Sequence, residues 1–206
     1  MYPRVLPVTM IYEPDLLNVG IVHAPCQAVQ PLLKQQLDKT IKSNTIHSAL
    51  GVVGWEEFFE QGGKLYDGRR FQIALFSPRE ALTVYVCNLA DGWVSLYGNL
   101  VKEGAFDAYF FRATLCEQAR YKVFEMQGWR HGAHERHVRV LQDEDGWNFL
   151  DKGVAMSFES PMQYKKRQIR ARLDRRLIEK YSEEAGYRMS SVTEFTGQCW
   201  RFWRGG

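Results

Sequence analysis

With 206 residues, 45% of them hydrophobic and 14% aromatic, the chain can bury one substantial core, and a single domain over 1–206 is expected. Its formal charge of +3 is too small to mark the whole chain as a nucleic-acid binder, so such a role would need charge concentrated locally. No run approaches the roughly 20 apolar residues of a membrane span, and the opening MYPRVLPVTMIYEPDLL has prolines and acids where a signal peptide needs an apolar segment; a cytoplasmic protein with no membrane partner is expected.

The first 70 residues are the less regular part. VGIVHA (19–24) is a short β-branched run. After Pro25, Val29, Leu32, Leu33, Leu37 and Ile41 fall at helical spacing, so strand then helix is predicted, with Pro31 near the first turn and the helix beginning late. SALGVVGWEEFFEQGGKLYDGRR reads as a short element followed by turns at Gly62-Gly63 and Asp67-Gly68. From residue 71 a strand rhythm takes over. FQIALF (71–76), LTVYVCN (82–88) and WVSLYG (93–98) are rich in β-branched and aromatic residues, and Asp91-Gly92 is read as a turn between the last two.

After a polar break at KEGAFD, four further strands are predicted at 108–115, 120–127, 136–142 and 147–153. Alternation in KVFEM and HVRVL fits a half-exposed sheet, and DEDG (143–146) is a hairpin turn between the final two. Ser160-Pro161-Met162-Gln163 then supplies a serine N-cap, a proline at the first helical position and a capping-box glutamine. A helix of about seven turns to Gly186 is predicted, with Met162, Ile169, Leu173, Leu177, Ile178, Tyr181 and Ala185 as its apolar stripe. Large aromatics in the tail, Trp200, Phe202 and Trp203, are costly to leave in water, so the tail should dock on the core or meet a partner. The expected fold is α+β, mostly antiparallel sheet with a helix near each end of the chain.

His131, His134 and His137 raise the question of a metal. Their spacing of three and three is not the helical His-x-x-x-His arrangement, and in a regular strand His134 would face away from the other two. A loop could gather them, with Glu135 as ligand or base, but the expectation is no metal and no cofactor. Cys26, Cys87, Cys116 and Cys199 include no Cys-x-x-Cys pair and read as free thiols, Cys87 and Cys116 within apolar runs. Cys26 near a helix start is a possible nucleophile, but only the distant His23 and His47 offer a base. No nucleophile elbow, phosphate loop, zinc-protease helix or dinucleotide fingerprint occurs.

The stretch 161–185 is rich in basic residues from Lys165 to Lys180. It could contact phosphates, which keeps a nucleic-acid-binding module open as an alternative, although nucleic acid is the less expected partner. Arg170 with Asp174, Arg175 with Glu179 and Lys180 with Glu184 are spaced for pairs along a solvated helix face, which favours a plain outer surface.

Asn88, Asp91, Gly92, Trp93, Ser95 and Leu96, followed by Trp147, Phe149, Gly153, Phe158 and Glu159 ahead of a basic segment, form a pattern over residues 71–185. In this pattern the chain resembles small bacterial immunity proteins of toxin–immunity pairs. That resemblance implies a sheet protein that binds and blocks a cognate toxin and has no chemistry of its own. Immunity proteins against basic nucleases are strongly acidic, and this chain is not, so complementarity points to a less basic toxin. Occluding surfaces combine aromatic or arginine anchors with polar loops. The candidates are Trp129, Arg130 and His131, the turn residues Asp143, Glu144 and Asp145, and Trp200, Trp203 and Arg204 of the tail. An enzyme of unrecognised type is the remaining reading.

Overall fold

The computed structural model describes residues 16–41, 46–60 and 70–204; the opening segment and the Gly62-Gly63 and Asp67-Gly68 turns lie outside them. The fold is α+β, built on one antiparallel sheet. Its strands are β1 (Leu16–Val22), β2 (His47–Val52), β3 (Phe71–Arg79), β4 (Leu82–Cys87), β5 (Ala108–Thr114), β6 (Lys122–Arg130), β7 (Ala133–Asp143), β8 (Gly146–Gly153) and β9 (Gln198–Arg204). Their spatial order is β2-β9-β3-β4-β1-β5-β6-β7-β8. Helices α1 (Cys26–Thr40) and α3 (Val94–Glu103) pack on one face, α2 (Trp55–Glu60) and α4 (Arg175–Glu184) on the other.

This layering explains the sequence rhythm. The central strands are covered on both faces, so FQIALF and LTVYVC are buried at every position and read as continuous apolar runs. Val29, Leu33 and Leu37 of α1 meet Tyr85, Tyr97 and Phe110 on one side, while Phe76, Phe111, Met126 and Ile178 pack on the other. Burial of each such side chain contributes about 1.5–3 kcal/mol. Gly20 of β1 is required by this packing, because a Cβ there would lie 2.3 Å from the Tyr97 ring. Toward β7 and β8 the α1/α3 face thins out: His137, Arg139 and Leu141 are only half-buried there.

Three predicted elements differ. WVSLYG is not a strand: Asp91 accepts a hydrogen bond from the Trp93 N–H (2.9 Å), Trp93 takes a left-handed conformation (φ 49°), and α3 follows. Its buried residues Leu96, Tyr97, Leu100 and Val101 carry a helical period that a reading stopped at Gly98 cannot see. Helix α1 starts at Cys26, not late, and takes Pro31 into its interior.

The seven-turn C-terminal helix is the largest correction. Residues 161–174 form two 3-10 turns (Gln163–Lys165 and Ile169–Ala171), and only Arg175–Glu184 is α-helical. Ser160 does not cap; the N-cap is Asp174, whose carboxylate accepts from the Leu177 N–H (2.9 Å). Like charges four apart, Lys166 with Arg170 and Arg172 with Arg176, oppose an earlier helix. Tertiary anchors replace it: Tyr164 is buried, and the Arg172 guanidinium lies over the Phe149 ring (4.9 Å).

Candidate functional site

Three side-chain arrangements on the β5–β8 half of the sheet carry chemistry. The first is buried. Arg136 of β7 is 2% exposed, and its Nε and Nη2 donate to the Glu159 carboxylate at 2.8 and 2.7 Å. Its Nη1 donates to Asp151 (2.6 Å) and to the carbonyls of Lys152 and Gly153. Glu159 also accepts from the Met156 N–H and the Tyr164 hydroxyl, both at 2.7 Å. Burial raises the Tyr164 phenol, and the adjacent carboxylate raises it further. The clamp fastens the loop after β8 and the first 3-10 turn to the sheet. Gly153, at φ 86°, is needed there: a Cβ would stand 1.8 Å from the Glu135 carbonyl oxygen.

The second arrangement lies on the opposite face. Glu125 of β6 has its carboxylate 2.7 Å from His137 Nε2, 2.8 Å from Gln127 Nε2 and 3.1 Å from Arg112 Nη1. Arg112 donates onward to Asn18 (2.9 Å) and to the Asp91 carbonyl. Burial alone would raise the Glu125 carboxyl, but the His137 hydrogen bond and the Arg112 charge outweigh it and hold it below the ordinary carboxylate range. With that carboxylate ionised, the His137 nitrogen is the donor. The His134 ring lies 6.0 Å from the His137 ring and 5.0 Å from the Trp129 indole.

The expected strand alternation of the histidines is overturned by a β-bulge. Gly128 pairs with Arg136 and Trp129 with His134, so Glu135 is the extra residue, and it brings His134 onto the face of His137. His131 is left in the β6–β7 turn, 81% exposed at its side chain, with its backbone N–H on Asp107. Among the described residues, no three His, Cys, Asp or Glu side chains form a group able to hold a metal ion. Cys26 is buried, and burial raises its thiol, the reverse of what an activated nucleophile needs. The four cysteines are free; Cys116 is half-buried beyond the end of β5 rather than within a strand.

The third is the basic segment. The pairs predicted for it do not form: Asp174 is spent on the α4 cap, and Glu179 turns to Arg188 (3.7 Å) and the Ser190 N–H (3.2 Å). Lys165, Lys166, Arg167 and Arg170 ahead of α4, and Arg175, Arg176 and Lys180 on it, are exposed. None of them is in an ion pair among the described residues. Met162 and Val154, 70% and 80% exposed, flank the start of this segment.

The anchors chosen from the sequence fall in separate places. Trp129 is 6% exposed and packs on Tyr97 and Gly98, so it belongs to the core, while Arg130 and His131 are exposed beside it. Asp143, Glu144 and Asp145 form the β7–β8 turn at the other end of β7, about 33 Å away at roughly 3.3 Å per residue. Trp200, Trp203 and Arg204 are half-buried in β9, where Phe202 is fully buried, so the tail is a strand of the sheet. Five strand spacings, about 24 Å, separate β9 from β6. These residues therefore do not share one patch. Sequence reading passed over the pairing of Arg136 with Glu159, and its only local signal was a charged residue at an inward position of HVRVL's strand.

No helix of the described residues is long and apolar enough to cross a membrane. Compared with protein-family models, with curated proteins and with solved structures, the chain matches none.

Proposed function

We propose that this chain is a non-enzymatic inhibitory binding protein of the immunity type, acting in the cytoplasm by covering a cognate toxin. The observation that carries the reading is the exposure of Met162 and Val154 beside cations without ion-pair partners, on chain that the Arg136–Glu159 clamp holds in place. Exposed apolar side chains on an irregular segment anchored by buried hydrogen bonds cost solvation in the free protein and gain when covered. Such anchoring also lowers the ordering cost of binding. The titratable groups of the two polar networks are turned on one another, which suits a scaffold better than a reaction centre.

Co-expression with the toxin encoded by a neighbouring gene tests the proposal. Expected are protection of the cell and a complex that survives gel filtration. A genome with no toxin gene nearby, together with no protein copurifying from the native host, would remove the inhibitory reading.

A further inference from the structure

We infer that residues 154–180 are the docking surface and that the partner presents an acidic protein surface to it. This rests on the binding reading above and adds the location and the chemistry. Between Lys165 and Lys180 the sequence has eight basic residues against two acids, so the rest of a chain with net charge +3 is net negative. Basic residues are thus dense in this one segment, with the exposed Glu183 and Glu184 following at the end of α4. Both acids within the segment are engaged inward, Asp174 on the α4 cap and Glu179 on Arg188 and Ser190, and neither neutralises the exposed cations. A dense run of cations outside any ion pair repels itself in the free protein and is relieved by a partner of opposite sign.

Carboxylates and phosphates would both satisfy the charge. The apolar neighbours decide between them. Met162 heads the first 3-10 turn, in which the Lys165 N–H donates to its carbonyl (3.3 Å), so an exposed thioether and an exposed ammonium share one turn. Val154 follows directly on Gly153, whose carbonyl binds Arg136. An exposed apolar side chain in the same turn as a lysine, followed along the chain by further exposed cations, fits the core-and-rim pattern of a protein interface. Methionine adapts its shape to the surface it meets. Binding of single-stranded nucleic acid would instead call for exposed ring faces on which bases stack. Here Tyr164 is buried, and the Phe149 ring is covered by Arg172.

The test uses the full chain and fluorescence anisotropy with two kinds of labelled probe: a Glu- and Asp-rich peptide with interspersed Leu, and DNA oligonucleotides, single-stranded and duplex, of matched net charge. The peptide is expected to bind more tightly than either DNA, more weakly as salt rises. K166E/R167E/R176E should weaken it about tenfold or more. M162S, which removes the apolar side chain without adding charge, should weaken the peptide several-fold and leave any DNA binding unchanged, while K34E on the outer face of α1 should change neither. Thermal melts like wild type confirm that the variants fold; if the triple variant melts early, M162S alone carries the comparison. Tighter binding of DNA, binding of neither probe, or indifference to both variants overturns the inference. Toxin protection that survives K166E/R167E/R176E removes this surface and keeps the inhibitory reading. Peptide binding without protection does the reverse.

Discussion

Replacing Glu159 by alanine should be among the most damaging single changes in this chain. The Glu159 side chain is fully buried (0% exposed) and that of Arg136 2% exposed, and the substitution strips the guanidinium of the carboxylate that meets two of its nitrogens. The Met156 N–H and the Tyr164 hydroxyl lose their acceptor in the same step. Deleting one member of a buried pair leaves an uncompensated charge and costs about 3–5 kcal/mol. Asp151 and two carbonyls remain on Nη1, which places the expected loss near the lower end, about 3 kcal/mol. Against a total stability of about 5–15 kcal/mol this is a large fraction. Urea denaturation should show a midpoint lowered by roughly 1 M or more, given slopes of about 1–3 kcal/mol per molar. The double variant R136M/E159M removes both charges together, so its cost should fall well short of the two single costs combined. A Glu159→Ala protein within about 0.5 kcal/mol of wild type, or single costs that simply add in the double variant, would refute the account of the clamp.

Two further outcomes follow from the same geometry. Asp174→Ala should cost about 1 kcal/mol through loss of the α4 cap, whereas Ser160→Ala, whose hydroxyl caps nothing, should stay within about 0.5 kcal/mol; denaturant melts with the order reversed would restore a helix start at Ser160. Burial first, and the neighbouring His137 second, hold the His134 imidazole below its ordinary value of 6.5. Its folded pKa then lies below the unfolded one, so as pH falls past about 6.5 the unfolded chain takes up the proton first and stability declines. His134→Gln should flatten the dependence of stability on pH below that value, and an unchanged slope would show that the His134 environment is not the one described.

The strands were legible where burial and chemistry are local. FQIALF and LTVYVC are recognisable from composition alone, and the DEDG hairpin from its turn residues, with the Asp145 N–H on Asp143. The misreadings arise where a contact far along the chain overrides a local pattern. Ser160-Pro161 has the letters of a helix start, yet the Ser160 N–H goes to the Tyr181 hydroxyl, and Tyr164 is drawn to Glu159. Asp91-Gly92 has the letters of a hairpin turn, yet it feeds a left-handed Trp93 and a helix. The sheet order was not legible: β9 enters between β2 and β3 through pairings such as Leu50 with Trp200 and Ile73 with Phe202, which no short-range pattern encodes.

The extra residue at Glu135 ties these features together. A shift of one position in a strand exchanges its two faces. Beyond the bulge, Arg136, Val138 and Val140 face the α4 side, where the guanidinium meets Glu159, while His137 and Arg139 face the α3 side beside Glu125. Before the bulge the alternation is reset, so His134 joins His137 instead of opposing it. Gly153 pairs with Arg136 at this point, and its left-handed backbone lets the Glu135 carbonyl approach more closely than a Cβ would allow. The irregularity thus gathers His134 and His137 on one face, while Arg136, in regular alternation with Val138 and Val140, meets Glu159 on the other. That clamp sets where Val154 and Met162 stand, and with them the first of the exposed cations.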